Sequence, residues 1–354
     1  MKRVLLTGAG GFVGSHALRH VLATTDWEVV CPVTFQHKGL ADRIRLAMDD
    51  MPDAAHRVHV VRCDLATPIS AQTDHAFGHI DYVLNFASES HVDRSITHPG
   101  PFIQNNVALM TNMLDWLCDR PEVKAFVQIS TDEVYGPAPD GHAHQEWVDL
   151  HMPSNPYSAS KAAQEDIAFA YWRTYDLPII FTNTMNIIGE TQDAEKFIPL
   201  VIRKVLTGEK VTLHASPDGI PGSRFYLHAR NQADGVLHVL RWHTGMGVMG
   251  VRKVADSSGE SLRHSNGGTR PFRYHIVGDE EVDNLTMARA IARFVGRDLD
   301  YELADFHSSR PGHDLRYALA GEKMGATGWT PPIPLWPSLA KTVNWTVAHP
   351  EWLK

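Results

Sequence analysis

Two adjacent carboxylates, Asp132 and Glu133, follow an apolar run, Ala125–Ile129, that is typical of a buried strand. Two acids at a strand end repel each other and lose hydration. A chemical role is one explanation for them, and a helix N-terminus, which favours carboxylates, is the other. Neighbouring residues of a strand point to opposite faces, so both acids reach one ligand only if the chain leaves extended geometry near Thr131. We therefore predict a helical turn that begins there.

Tyr157 and Lys161 form a second reactive pair. They lie one turn apart in "NPYSASKAAQEDIAFAYWRTY", which predicts a helix with Asn155 as its N-cap and Pro156 at its first position. An ammonium group beside a phenol lowers the pKa of the phenol, and a phenolate can take a proton from a substrate hydroxyl. A chance tyrosine and lysine on an amphipathic helix are the alternative, because this pattern is common by itself.

Gly8, Gly11 and Gly14 form the third pattern, in GxxGxxG spacing directly after a predicted strand. The first two would allow a tight turn and the close approach of a diphosphate, and Gly14 would let the next helix pack on a sheet. The spacing predicts a dinucleotide site, although a glycine-rich turn without a ligand has the same pattern.

The acid that normally binds the adenosine ribose, about 20 residues further on, is missing, since no acid follows the second predicted strand before Asp42. Lys38 and Arg43 lie nearby and could bind a 2′-phosphate. NADP therefore stays open beside NAD.

The elements that must position these residues alternate between short apolar runs and longer helical patterns. This rhythm predicts an α/β fold, a Rossmann-type doubly wound parallel sheet with helices on both faces. From about residue 198 the rhythm breaks. We predict a dinucleotide-binding domain over 1–197, completed by elements that return from the C-terminal half, and a smaller α/β substrate-binding region mainly over 198–354. The predicted strands are Arg3–Thr7, Glu28–Pro32, Val58–Arg62, Tyr82–Phe86, Ala125–Ser130 and Pro178–Thr182, and helices include Val13–Ala23 and Phe102–Cys118.

The composition restricts the classes of partner. A formal net charge of −8 over 354 residues argues against nucleic acid and an anionic membrane surface. No apolar stretch approaches the ~18 residues of a membrane span, and no signal peptide core is present, so we expect a cytoplasmic protein.

The histidines of "GHAHQE", residues 141–146, suggest a metal site, but HExxH or a comparable spacing does not occur. We predict a solvated loop there and no metal.

Five segments together resemble the extended short-chain dehydrogenase/reductase family: "TGAGGFVGSH", "NFASESHVDRS", "STDEVYG", "NPYSASKA" and "SRPGHDLRYAL". Within it, the second and third segments are similar to those of the nucleotide-sugar 4,6-dehydratases. The resemblance extends from Met1 to about Trp329. It implies a lyase with tightly held NAD that converts an NDP-hexose to the 4-keto-6-deoxy sugar. A nucleotide-sugar epimerase is one alternative, which leaves both acids without a role. A non-catalytic dinucleotide-sensing protein is another, although such proteins typically lose the tyrosine–lysine pair.

The resemblance also implies roles for the reactive residues. Tyr157, paired with Lys161, takes the C4 hydroxyl proton while hydride leaves C4 for the nicotinamide, and Thr131 hydrogen-bonds the C4 oxygen. Glu133 removes the C5 proton, and Asp132, held protonated, donates to the departing C6 hydroxyl. Hydride then returns to C6. Mutual repulsion in a desolvated pocket can give two acids such opposite protonation states.

Further residues match the family's two ligand sites. Those of the cofactor site are Gly8, Gly11, Phe12, Val13, Gly14, Asp64, Leu65, Ala87, Ser88 and Asn106, with Tyr157 and Lys161. Those of the nucleotide-sugar site are Ser90, Asn186, Glu195, Lys196, Arg224, Asn284, Arg310 and His313. Both arginines suit the diphosphate, because guanidinium groups bind phosphate through paired hydrogen bonds. A surface ion pair is the alternative for one of them.

Three positions depart from the family pattern. Val33 stands in place of the ribose-binding aspartate, Asn183 in place of an arginine, and Phe225 in place of an aspartate. The first leaves the choice between NAD and NADP open, and the other two leave the base and the hexose open.

The resemblance implies a homodimer formed through two helices, about Phe102–Cys118 and Pro156–Tyr175. The same apolar residues would serve equally as core packing in a monomer, so the sequence does not distinguish the two states. These residues are Val107, Met110, Met113, Leu114, Ile167, Phe169 and Tyr171.

Overall fold

The computed structural model describes residues 1–36, 39–245, 270–305 and 315–354. Its strands within these ranges are β1 (Arg3–Thr7), β2 (Glu28–Val33), β3 (Val58–Arg62), β4 (Tyr82–Asn85), β5 (Ala125–Thr131), β6 (Ile179–Thr184), β7 (Ile187–Ile188), β8 (Val211–Ala215), β9 (Ser223–Phe225), β10 (Leu227–His228), β11 (Phe272–Ile276), β12 (Glu281–Asp283) and β13 (Tyr301–Asp305). Seven of them form one parallel sheet in the order β11-β6-β5-β4-β1-β2-β3.

The helices lie on both faces of this sheet. They are α1 (Phe12–Thr24), α2 (Ala41–Met48), α3 (Ala71–Phe77), α4 (Val92–Thr97), α5 (Pro99–Cys118), α6 (Pro156–Tyr175), α7 (Phe197–Thr207), α8 (Ala229–Gly245), α9 (Asn284–Val295), α10 (Glu322–Gly325) and α11 (Leu335–Ala348). Short 3₁₀ helices cover Pro52–Arg57, Asp132–Tyr135 and Pro350–Leu353. In the described part of the chain, no helix combines the length and the apolar character that a bilayer crossing needs.

The sequences of the strands are nearly continuous apolar runs because both faces of the sheet are buried. Along β1, Val4 and Leu6 belong to the core that α1 and α8 cover, whereas Leu5 belongs to the opposite core beneath α5 and α6. The Rossmann-type fold predicted from the sequence is confirmed.

The predicted strand ends differ slightly from those observed. β5 continues to Thr131, and β6 is displaced toward its C-terminal end, because the parallel ladder between them extends to the pair Thr131 and Thr184. Neither residue is apolar, so periodicity alone stops short of them.

The C-terminal half supplies one strand to the sheet and a separate small core. β11 adds to the sheet beside β6, while α7, α9 and α11 enclose a third apolar cluster that includes Val201, Ile291 and Leu339. The division between residues 197 and 198 stays a prediction.

The order of the strands reverses between β1 and β4, which lie side by side although two strands separate them in the chain. Ligands of doubly wound sheets bind where the connections diverge at such a point, beyond the carboxyl ends of the strands. The glycine turn after β1, the segment after β4 and the acid pair after β5 all follow carboxyl ends at this edge.

Candidate active site

The acid pair lies on a 3₁₀ turn that begins directly after β5. Thr131 caps it: its hydroxyl accepts the Glu133 N–H at 3.3 Å and donates to Asp132 Oδ1 at 2.9 Å. Gly136 ends the turn with a φ of +75°, and a Cβ there would lie 2.2 Å from the Met152 carbonyl oxygen. The predicted helical turn is confirmed, so the acids are not directed to opposite faces as on a strand.

Asp132 has the environment of a carboxylic acid that keeps its proton. It is only 3% exposed, and among the described residues its Oδ2 has no hydrogen-bond partner. Burial, followed by the charge of Glu133, raises the pKa of Asp132 to about 7, against opposing effects of Thr131 and Arg224. The side chain can therefore hold a proton near neutral pH and present it at Oδ2.

Glu133 has a more polar environment than its neighbour. It is half-buried, and the Asn155 Nδ2 donates to its Oε2 at 3.2 Å. Burial lowers the pKa of Lys196, and Glu133 is foremost among the carboxylates that oppose this shift. A carboxylate with an amide donor and a nearby ammonium group is stabilised in its charged form, as a base requires.

Asn155 is the N-cap that the sequence predicts, and it also contacts Glu133, which the sequence did not indicate. Its Oδ1 accepts the Ser158 N–H at 2.9 Å, which makes it the predicted N-cap of α6. The same side chain donates to Glu133 through Nδ2. One residue thus fixes both the start of α6 and one of the two acids.

Tyr157 and Lys161 lie on α6 as predicted. The prediction that Lys161 lowers the pKa of Tyr157 is wrong. Burial, Glu133 and Asp132 raise the pKa of Tyr157, and only a hydrogen bond with Thr131 opposes them. The Lys161 Nζ donates instead to the Ile129 carbonyl and the Gln164 Oε1, both at 2.8 Å. Burial lowers the pKa of Lys161 to about 8, so its ammonium charge is itself weakened.

The glycine turn after β1 packs closely against neighbouring backbone and forms a cradle at the start of α1. Gly8 has a φ of +72°, and a Cβ there would lie 2.9 Å from the Ala87 nitrogen. A Cβ on Gly14 would lie 2.1 Å from the Gly8 carbonyl oxygen, so the turn and α1 are in close contact. Gly11 caps α1 without a side-chain hydrogen bond, which leaves N–H groups of the first turn available to an anion. Phe12 and Val13 occupy this first turn.

Replacing Gly14 with alanine should lower the free energy of unfolding by about 1–3 kcal/mol, because the new methyl group overlaps the Gly8 carbonyl. Urea denaturation measures the change. Gly100→Ala is the control, since a Cβ there meets nothing within 4 Å. Equal behaviour of the two variants would contradict the close packing of turn and helix.

The adenosine end of the cradle lacks the acid that was sought in the sequence. Val33 is buried at the end of β2. Arg43 is 1% exposed and its Nη2 donates to the Thr191 carbonyl at 2.8 Å and to Asp193 at 3.0 Å. Because its guanidinium group is engaged there, Arg43 offers no support for a 2′-phosphate. Lys38 lies outside the described residues.

Two further residues of the predicted cofactor site, which match adenine contacts of the family, follow β3. The Asp64 Oδ1 accepts the Ala66 N–H at 3.0 Å, and the carbonyl of buried Leu65 accepts from the Asn112 side chain at 3.0 Å. These bonds hold the backbone of the loop, and contacts of both residues with a base stay a prediction.

Asn106 holds the segment Ala87–Ser90, where three predicted ligand contacts lie. It accepts the Glu89 N–H at 2.8 Å and donates to the Glu89 carbonyl at 3.1 Å and to the Ser160 hydroxyl at 2.8 Å. Since Asn106 is fully buried, its observed role is to join this segment to α6.

The predicted sugar-side residues fall into two groups. In the first, the Lys196 Nζ donates to the Ser90 carbonyl at 3.3 Å, and Glu195 pairs with His91 at 3.1 Å. This places Lys196 next to Ser90 as well as near Glu133. Asn186 contributes its carbonyl to Leu227.

The second group surrounds β9 and β12. The Arg224 guanidinium lies 4.8 Å from the ring centre of Tyr317 and donates to the Leu315 carbonyl, and its charge acts on Asp132. The Asn284 side chain accepts from the Tyr226 hydroxyl at 2.7 Å. Arg310 and His313, which were assigned to the same site, lie outside the described residues.

A buried ion cluster supports the acid-bearing turn from behind. The Arg273 Nη2 lies 2.5 Å from the Glu165 Oε2, and its Nη1 donates to the Tyr135 hydroxyl at 2.9 Å. Asn183 donates to the Glu165 Oε1 at 2.7 Å and to the Thr131 carbonyl at 3.1 Å. The departure at position 183 therefore fits its surroundings, because Arg273 supplies a cation for Glu165.

Arg273→Ala should lower the free energy of unfolding by about 3–5 kcal/mol, because it leaves the buried Glu165 carboxylate with His151, 3.1 Å away, as its remaining cationic partner. Arg45→Ala, at a pair whose arginine is 63% exposed, should change it by less than about 1 kcal/mol. Denaturant unfolding of both variants tests the difference. A similar loss of unfolding free energy in Arg273→Ala and Arg45→Ala would show that the buried ion cluster does not support the turn.

Comparisons with known proteins agree with this fold. The model of the NAD dependent epimerase/dehydratase family matches residues 4–250. The chain belongs to this family, and the resemblance to extended short-chain dehydrogenases/reductases is confirmed.

Among its relatives, the chain is 32% identical to dTDP-glucose 4,6-dehydratase 1 of Escherichia coli K12, over 99% of this chain and 94% of that protein. It is 33% identical to the low-salt glycan biosynthesis protein Agl12 of Haloferax volcanii, over 93% of each. The crystal structure of DesIV, a dTDP-glucose 4,6-dehydratase from Streptomyces venezuelae with NAD and TYD bound, superimposes with a TM-score of 0.80 at 30% identity, covering 99% of both chains.

Proposed function

We propose that this protein is an NAD-dependent nucleotide-sugar 4,6-dehydratase, a hydro-lyase that converts an NDP-hexose to the NDP-4-keto-6-deoxy-hexose. The observation that carries the proposal is the pairing of two unlike acids next to Tyr157. Asp132 is buried with a bare Oδ2, while half-buried Glu133 has an amide donor and Lys196 nearby. Elimination of water needs one acid and one base in this arrangement.

The glycine turn supports NAD as the cofactor, and the related dehydratase structures from Streptomyces venezuelae and Bacillus anthracis contain NAD. A side chain at Gly8 or Gly14 would overlap neighbouring backbone and displace the turn, and the N–H groups at the start of α1 suit a diphosphate. NAD would supply a hydride acceptor for C4 of the sugar and, once reduced, a hydride donor for C6. Gly8, Gly11 and Gly14 would hold its diphosphate, and Tyr157 and Lys161 its nicotinamide end.

Proton transfers by the chain's own residues would account for the remaining steps. Tyr157 takes the C4 hydroxyl proton as its phenolate, and Thr131 hydrogen-bonds this oxygen. Burial and the two acids oppose the phenolate, and the positive charge of the nicotinamide of NAD, when bound, would favour it. The C4 ketone acidifies the C5 proton, which Glu133 removes. Asp132 gives its proton to the C6 hydroxyl, and the C6–O bond breaks with loss of water. After hydride has reached C6, a proton returns to C5 from Glu133, so the sugar undergoes no net redox change.

The substrate is proposed as a nucleotide-diphosphate sugar of the dTDP-glucose type. Arg224 next to the acid pair is the described residue best suited to its diphosphate, and Arg310 joins it by family resemblance. NMR of the product from dTDP-glucose and NAD tests the reaction, because dehydration converts the C6 hydroxymethyl group to a methyl group. A sugar that keeps its C6 oxygen would contradict the proposal.

A nucleotide-sugar epimerase shares Tyr157, Lys161 and the glycines, and is the second candidate. Its chemistry inverts C4 and needs neither a base at C5 nor an acid at C6. The buried, raised-pKa Asp132 would then destabilise the fold without a function, so the dehydratase is preferred.

The pH profile of kcat/KM should show a descending limb above about pH 7. The pKa of Asp132 is raised to about 7, so the acid loses its proton and its ability to donate as the pH rises through this value. Initial rates from pH 5 to 9 measure the limb. The residual rate of Asp132→Asn, which has no proton to lose, should lack it. The same limb in both proteins would assign it to another group.

We propose a cytoplasmic homodimer formed through α5 and α6, as the resemblance implies. Met110, Met113 and Leu114 are wholly buried in the core, so they do not serve an interface. Val107, Ile167, Phe169 and Tyr171 are partly exposed, and Ile103 and Tyr175 are 42% and 49% exposed. Sedimentation should give twice the 39.5 kDa of the chain. A single species of 39.5 kDa at micromolar concentration would refute the dimer.

A further inference from the structure

Three potential metal ligands converge in the loop between the acid-bearing turn and α6. The His142 Nε2 forms a hydrogen bond of 3.0 Å with the Asp149 Oδ1, and the His144 Nδ1 lies 3.3 Å from the same oxygen. The two imidazole rings meet edge to face with centres 5.2 Å apart. All three ligand atoms lie within 4.8 Å of one another.

His144 does not belong to the solvated loop that was predicted for this segment. It is 6% exposed, and neither ring nitrogen has a hydrogen-bond partner among the described residues. Its Nδ1 approaches Asp149 without the alignment of a hydrogen bond. A buried polar atom that lacks a partner costs free energy, and a bound cation is one way to remove this cost.

The backbone holds these ligands in place. The His144 N–H donates to the Ala318 carbonyl, and the His144 carbonyl accepts the Ala320 N–H, both at 2.9 Å. The Arg316 Nη1 donates to the His142 carbonyl at 2.7 Å. These bonds anchor both histidines to a separate segment of the chain, so the cluster does not depend on a freely moving loop.

The Asp149 carboxylate is also oriented. Its Oδ2 accepts the Gln145 N–H at 2.7 Å, which leaves Oδ1 facing the two imidazoles. A hydrogen bond to the second oxygen of a carboxylate is the usual means of aiming the first at a metal.

We propose that His142, His144 and Asp149 bind a divalent transition-metal ion, with Zn²⁺ the best match. Tetrahedral zinc with bonds of about 2.0–2.1 Å places its ligand atoms roughly 3.3–3.4 Å apart. The two separations from Asp149 Oδ1 are 3.0 and 3.3 Å. Two imidazoles and one carboxylate suit zinc, and water completes the four ligands. The His142 side chain, 42% exposed, provides the entry path.

A second triad, His16, Glu190 and His228, is less suited to a cation. The His16 Nε2 bonds the Glu190 carbonyl at 2.9 Å and the His228 Nε2 bonds the Glu190 carboxylate at 3.0 Å, and neither ring has two unpartnered nitrogens as His144 does. The Lys341 ammonium lies 3.2 Å from the same carboxylate and would repel a metal ion. This triad serves as the internal control.

A metal ion at the loop would stabilise the far side of the acid-bearing turn. The His144 ring stacks on Tyr135, the last residue of that turn, with centres 5.2 Å apart. The ion would fix this ring and with it the loop, whatever sugar the enzyme uses. The inference is thus independent of the proposed function.

Calorimetric titration of the metal-free, untagged chain with ZnCl₂ tests the site. The wild type should bind one Zn²⁺ per chain, and its thermal unfolding midpoint should rise with the metal. Tetrahedral Co²⁺ absorption should appear on substitution with that ion. His142→Gln and Asp149→Asn should each weaken binding by more than roughly 100-fold, since even residues behind the ligands contribute 10–100-fold. His79→Gln, at a histidine that is 64% exposed, should leave binding unchanged.

Two results would overturn the inference. One is wild-type binding no tighter than that of His142→Gln. The other is loss of the single site in His16→Gln together with its retention in His142→Gln and Asp149→Asn, which would place the metal at the second triad. Circular dichroism of each variant separates loss of a ligand from loss of the fold.

Discussion

Asp132→Asn loses the elimination of water but keeps the exchange of the C5 proton with solvent. The amide has nearly the shape of the carboxylic acid but cannot give its proton to the C6 oxygen, so turnover should fall by roughly 10²–10⁴-fold. Tyr157 and Glu133 are unchanged, and the C4 ketone still forms. Mass spectrometry in deuterated water should show a sugar that gains deuterium without losing water.

The same substitution should not weaken the fold. The pKa of Asp132 is raised from 3.8 to about 7 in the folded chain, so the wild type loses stability as the pH rises from the unfolded pKa through about 7. Asparagine carries no charge, and the variant should be the more stable protein at pH 8. Asp53→Asn, on the exposed surface, is the control. Unchanged turnover in Asp132→Asn would remove the dehydratase assignment.

Tyr157→Phe should lose both reactions, water loss and C5 exchange, with a fall in turnover of roughly 10²–10⁴-fold. Without the phenol, the C4 hydroxyl proton has no acceptor, so the ketone that acidifies C5 does not form. The Tyr157 ring is 9% exposed and phenylalanine fills the same space, so the fold should be unchanged and NAD affinity should fall only by the share that the hydroxyl contributes at the nicotinamide end. Rates with dTDP-glucose and NAD titrations measure the two effects separately.

Tyr175→Phe, at a tyrosine on the same helix that is 49% exposed, should behave as the wild type. The contrast between Tyr157→Phe and Asp132→Asn orders the steps, because only the second variant retains C5 exchange. Full activity in Tyr157→Phe would exclude every function that uses this family's chemistry.

The sequence anticipated those parts of the site that depend on local geometry. The turn after β5 followed from the acid pair, and the start of α6 followed from Asn155 and Pro156. Gly8 and Gly14 lie at positions where a Cβ would clash, which is the physical reason for the glycine spacing. Except at Gly8, which meets the segment after β4, the residues that determine the conformation lie within a few positions of one another.

Features that arise from distant segments were missed. Arg273 reaches Glu165 only because β11 returns to the sheet beside β6, and strand order is not encoded by periodicity. The predicted direction of the Tyr157 pKa shift was wrong, because the shift depends on total burial and on two acids from another element. The positions of Lys161 and its acceptors follow from the packing of α6 on β5, which no local pattern indicates.

The central claim is that one chain performs C4 oxidation, water elimination and C6 reduction on a nucleotide sugar. The most direct test is to incubate the chain with NAD and, separately, dTDP-glucose, UDP-glucose, UDP-GlcNAc and GDP-mannose in deuterated water, followed by mass spectrometry and NMR. We predict that one substrate loses one water and retains one deuterium at C5, with a new methyl group at C6. An unchanged mass with inversion at C4, or no reaction with any of the four sugars, would contradict the assignment.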